Sequence, residues 1–177
     1  MSFSHSRRAR GFSIIELLIV IVIVSILAAI ALPSYRQYVM RTNRTVAKAA
    51  LQDLIVRQEG YAVDHKGYAI DFERLGITGA SGASADSAYV RSDGSISRDS
   101  ANALYSFALH TSAAGSAMSA ACASLSAGGL SGTPNAFGIS ATPVGSNSDT
   151  RCGTLCASSR GERGASGPGG VADCWRR

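Results

Sequence analysis

The sequence predicts an α+β chain: a long N-terminal helix packed on a small antiparallel sheet. Three observations lead there. Residues 12–59 contain no glycine and one proline, Pro33, whereas glycine is frequent from Gly60 onward. Residues 12–32 (FSIIELLIVIVIVSILAAIAL) are apolar almost throughout. Short segments of alternating polarity follow beyond residue 104. A length of 177 residues suits one globular domain plus an anchor.

The helix comes first. Residues 12–32 are long enough to cross a bilayer core of about 30 Å. Glu16 interrupts them, and an acidic side chain at the centre of a membrane helix costs roughly 2.5–3.5 kcal/mol. A charge kept at that cost points to a partner. Ser13 and Glu16 also have the spacing of a capping box, which is an alternative role for Glu16. After Pro33 the pattern turns amphipathic over residues 33–59. Tyr35, Val39, Thr42, Val46, Ala50 and Leu54 recur at helical spacing, widened by Leu51 and Ile55. Arg36, Arg41, Arg44, Lys48 and Arg57 occupy other positions. Pro33 removes one helix hydrogen bond and permits a kink or local unwinding. Residues 12–59 as one helix would measure roughly 72 Å.

Residues 60–177 are the expected head. Residues 60–104 read as a connecting loop, with Asp93-Gly94 a good hairpin turn inside it. Strands are expected at 105–111 (YSFALHT), 136–144 (AFGISATPV) and 152–157 (CGTLCA), with the stretch 160–165 a candidate fourth. One face of this meander would lie on the helix and the other in solvent. Residues 112–131, rich in alanine and serine, form an insertion between the first two strands, a candidate short helix.

Charge and cysteines bound the chemistry. The formal charge is +5, with 17 basic and 12 acidic residues. Three of the basic residues are Arg7, Arg8 and Arg10; without them the chain carries 14 and 12, a net +2. That balance alone does not imply strong nucleic-acid binding. Cys122, Cys152, Cys156 and Cys174 all lie in the C-terminal part, and four cysteines allow three pairings. A metal site at Cys152 and Cys156 would need more ligands than His110 and the more distant His65 supply. No catalytic or nucleotide-loop motif is present, so the chain reads as no enzyme, without metal or cofactor.

Arg7 and Arg8, then Arg10-Gly11-Phe12-Ser13-Ile14-Ile15-Glu16 and the apolar run, resemble the processing site of type IV pilins. The stretches 140–145 (SATPVG), 151–155 (RCGTL) and 164–175 (GASGPGGVADCW) resemble the C-terminal half of PilE-like minor pilins, down to Cys174-Trp175. The resemblance implies the type IV pilin fold. It implies a leader of residues 1–11, cut after Gly11 by a prepilin peptidase that methylates Phe12. The basic leader stays cytoplasmic. An ordinary signal peptide is cut after its apolar region instead. Glu16, fifth residue of the mature chain, would pair with the terminal amine of a neighbouring subunit. Pro33 would mark where the helix melts in the filament. The same resemblance implies a Cys152–Cys174 disulfide closing the C-terminal loop, 152–174, which leaves Cys122 with Cys156. Read as four apart on one strand, Cys152 and Cys156 would point to the same face. An extracytoplasmic head is where disulfides persist.

The implied function is structural: a minor subunit of type IV pili, supporting pilus biogenesis in adhesion, twitching motility and DNA uptake. Its partners would be other pilin subunits, the prepilin peptidase and the inner-membrane assembly platform. It would wait in the inner membrane and then enter the extracellular pilus. Two other readings stand beside this one: a DNA-binding pilin for natural transformation, and a pseudopilin of a type II secretion system. For the first, Arg151, Arg160, Arg163, Arg176 and Arg177 would form the contact surface. With Asp149, Glu162 and Asp173 interleaved, the same residues could equally be a solvated edge.

Overall fold

A computed structural model describes residues 12–79, 87–111, 122, 136–145 and 147–176. Helix α1 (Ile14–His65) is followed by strands β1 (Ser87–Val90), β2 (Ile96–Ser97), β3 (Tyr105–Thr111), β4 (Phe137–Pro143), β5 (Leu155–Ser158) and β6 (Arg163–Ala165), and by a short helix α2 (Gly170–Trp175). The chain divides into two compact units, Met1–Val39 and Met40–Arg177.

The first unit is the apolar part of α1. Its isoleucines, leucines and valines from Ile14 to Leu32 stand exposed, and α1 is long and apolar enough to cross a membrane by length and composition. Glu16 lies in the first turn and is exposed. The Ser25 hydroxyl donates to the Val22 carbonyl at 2.8 Å, so this polar group is satisfied within its own helix. The helix continues through Pro33. The leader through Gly11 lies outside the described residues; Phe12 is described and exposed.

The second unit is the head. Here α1 buries Ala47, Ala50, Leu51, Leu54 and Gln58, with Val46 and Ile55 half-buried beside them. The helix runs to His65, past the Glu59 end that the glycine pattern suggests. One interior glycine costs only about 1 kcal/mol relative to alanine. Tyr61 then packs on the core and stacks on His65 one turn later, at 3.9 Å. Lys66, at φ 57°, ends the helix.

The sheet has six strands in the order β2-β1-β3-β4-β5-β6, every pair antiparallel. Tyr105, Phe107 and Leu109 of β3, with Phe137, Ile139 and Ala141 of β4, meet the helix stripe in one core. The region read as a loop contributes more than expected. The Asp93-Gly94 turn joins two real strands, with Gly94 at φ 81° and Asp93 accepting from the Ser95 backbone at 2.9 Å. The remaining loop is clamped by Gln58, whose amide both donates to the Ala69 carbonyl and accepts from its N–H, each at 3.0 Å. That clamp lets Ala69, Phe72, Leu75 and Ile77 fill the core edge.

Two expectations are corrected. The face of the sheet turned away from α1 is not solvated throughout: Ser140, Cys156 and Ser158 are buried there, and so is Cys122. Cys152 and Cys156 do not share a face. Cys152 sits in a turn before β5 and joins the core under α1. Cys156 lies within β5, opposite Ser140, and points the other way. The assumption of one continuous strand over 152–157 fails because the turn resets the alternation. The structure joins Cys152 to Cys174, with Cα atoms 5.6 Å apart, and Cys122 to Cys156, 6.1 Å apart. Of the insertion at 112–131, only Cys122 is among the described residues.

Candidate nucleic-acid interface

The C-terminal loop is built on a buried charge pair. Arg44 of α1 reaches Asp149 with Nε to Oδ2 at 2.9 Å and with its terminal nitrogen to Oδ1 at 3.0 Å. Only 8 % of Arg44 and 4 % of Asp149 remain exposed. Asp149 also accepts the Cys152 backbone N–H at 3.1 Å. Beside it, Asn43 donates to Asn147, which donates to the Leu104 carbonyl, both at 2.9 Å. Two adjacent α1 residues therefore fix the segment that leads into Cys152. The Tyr105 hydroxyl lies 3.5 Å from Asp149, and burial with that negative charge pushes its pKa up to about 12. The sequence reading set Arg44 off the apolar stripe and interleaved Asp149 with the loop arginines, a solvated edge being one of two readings; the structure buries both residues. Arg44 falls at core spacing with Ala47, Leu51, Leu54 and Gln58. An arginine there reads as surface until its partner 105 residues away is known.

From Cys152 the loop folds back on itself. Ser166, Gly167 and Gly169 N–H groups donate to the carbonyls of Thr154, Cys152 and Arg151 at 3.0, 2.9 and 2.8 Å. A side chain at Gly167 would collide with the Arg151 carbonyl, so glycine is required for this approach. The disulfide then anchors α2, and Trp175 caps the arrangement. Its ring is half-buried against the core, and Nε1 donates to the Gly164 carbonyl at 2.9 Å. The Arg163 guanidinium lies over the ring, 5.1 Å from its centre.

The cations of the loop have different fates. Arg151 is bound to Asp173 at 2.6 Å, which holds that carboxyl below the usual range. Arg163 and Arg176 are exposed, and among the described residues neither has a carboxylate within ion-pair distance. Arg160 lies in the turn joining β5 to β6, and Glu162 in the same turn accepts from Ser158 at 3.2 Å. Arg177 lies outside the described residues. Sequence reasoning missed Lys48 on α1. Its Nζ donates to the Arg176 carbonyl at 3.1 Å, and burial together with the Arg44 and Arg163 charges lowers its pKa. Nothing local marks that lysine; a contact across 128 residues does.

The family model described as the type IV minor pilin ComP, DNA uptake sequence receptor, matches residues 33–156. This chain belongs to that family of type IV minor pilins. The prokaryotic N-terminal methylation motif matches residues 6–32 of this pilin. Among curated relatives, the type IV wide pilus major component PilA4 of Thermus thermophilus is 47 % identical over 62 residues, 35 % of this chain and 47 % of that protein. The type IV major pilin protein PilA of Myxococcus xanthus is 36 % identical over 70 residues, 40 % of this chain and 32 % of that protein. Fimbrial protein EcpC of Eikenella corrodens is 58 % identical over 38 residues, 22 % of this chain and 25 % of that protein. The pilin thus spans less than half the length of these relatives. The ComP-type match stops at Cys156, so the loop with Arg160, Arg163 and Arg176 lies beyond it.

Proposed function

We propose that this pilin is a minor subunit of a type IV pilus whose head holds double-stranded DNA by its phosphates during uptake. One observation carries the reading. Arg163, on a disulfide-closed, backbone-bonded loop, and Arg176, two residues past its closing cysteine, stand exposed beside Trp175 in the sheet edge and tail, without a carboxylate at ion-pair distance among the described residues. Cations fixed on a rigid element and left uncompensated suit an anionic polymer, because releasing its condensed counterions supplies the binding free energy. The description of the matched family supports the same reading. The pilin would reach its place as the methylation motif suggests. A prepilin peptidase would cut after Gly11 and methylate Phe12. Glu16 would then guide entry from the inner-membrane assembly platform into the filament, with Pro33 easing the helix into its packed form.

The test is binding of the full chain, in detergent, to a fluorescent duplex of random sequence over a range of salt. Contacts from Arg160, Arg163 and Arg176 contribute about −3 to the slope of log K on log salt. R163A should weaken binding to all sequences and make the slope shallower by about one. A wild-type chain that ignores DNA at low salt would leave only the structural subunit.

A further inference from the structure

We propose that Lys48 of α1 is the innermost phosphate contact of this surface, so that the DNA-holding face begins on the helix and not on the C-terminal loop. The inference rests on the DNA reading above and extends it to a residue outside the arginine cluster.

The geometry sets Lys48 apart from an ordinary surface lysine. Its side chain is half-buried instead of reaching into water. Its ammonium donates to the backbone carbonyl of Arg176, which neutralises no charge. No carboxylate lies within ion-pair distance of it among the described residues. The charges that act on it are instead two cations, Arg44 and Arg163, which together with burial lower its pKa. The Arg44 charge is already matched by Asp149. The Arg163 guanidinium rests on the Trp175 ring, which orients it without removing its charge. A partly desolvated ammonium among like charges is held at a cost that an incoming anion relieves. An ammonium has three donors, and one is committed to Arg176. A phosphate oxygen entering beside Arg163 would find the others. Lys48 would then tie the helix to the tail and to the ligand.

Two variants separate contact from scaffold. K48Q keeps an N–H donor for the Arg176 carbonyl but carries no charge; K48R keeps the charge. With the full chain in detergent and a random-sequence duplex, K48Q should make the salt slope shallower by about one and weaken binding roughly eightfold at 0.1 M salt. K48R should restore the slope. A second measurement uses the wild-type protein. The chain has two lysines, Lys48 and the exposed Lys66. Acylation mapped by mass spectrometry should show Lys48 protected by the duplex and Lys66 unaffected. A wild-type slope in K48Q, or labelling of Lys48 unchanged by DNA, overturns the assignment and leaves Lys48 an anchor of the tail. No binding by the wild-type chain overturns the DNA reading itself, and Lys48 with it.

Discussion

Arg44 and Asp149 face each other inside the head through two hydrogen bonds of 2.9 and 3.0 Å, although 105 residues separate them. The pair joins the helix to the base of the disulfide loop. Removing one partner leaves the other charged and buried, a loss of about 3–5 kcal/mol. R44M and D149L should each show that loss in chemical denaturation. The double variant should be destabilised by much less than the two losses together, because it strands no charge.

The Cys152–Cys174 bond closes a loop across 22 residues. In the chain-entropy model such a closure contributes about 3 kcal/mol. Replacing both cysteines by serine should release the tail to limited proteolysis before the rest of the head and weaken DNA binding along with it. Unchanged proteolysis would show that the backbone bonds of Gly167 and Gly169 hold the loop alone.

His110 should make the head acid-sensitive. Its Nε2 lies 3.1 Å from the Ser140 hydroxyl, while Nδ1 is buried with no hydrogen-bond partner among the described residues. Burial lowers its pKa below the ordinary 6.5. The unfolded chain therefore binds the proton more readily than the folded one. Stability is complete above the unfolded pKa and declines as pH falls below it toward the lowered value. Melting temperatures measured from pH 7.5 down to 5 should fall more steeply for the wild type than for H110Q.

Glu16 is expected to act in assembly and not in insertion. E16A makes the segment more apolar, so membrane insertion should persist. The amount of pilin recovered in sheared pili should fall sharply. Normal recovery would return Glu16 to a helix-capping role.

Local chemistry determined a good part of this pilin without any structure. A long, almost wholly apolar run specifies a helix that tolerates lipid. Alternation in residues 105–111 specifies a strand with Tyr105, Phe107 and Leu109 on one face, as observed. The Asp93-Gly94 turn specifies a hairpin, because few residue pairs fit its backbone. These signals work because neighbouring residues share one backbone path. Only the tertiary structure decided the rest. Arg44 occupies a core position because Asp149 meets it there. Cys152 and Cys156 part to opposite faces because a turn intervenes. Lys48 meets the tail because the Arg176 carbonyl returns to α1 there. The Arg44–Asp149 and Lys48–Arg176 meetings join distant parts of the chain, fixed by packing and charge in three dimensions, and no local period encodes such a meeting.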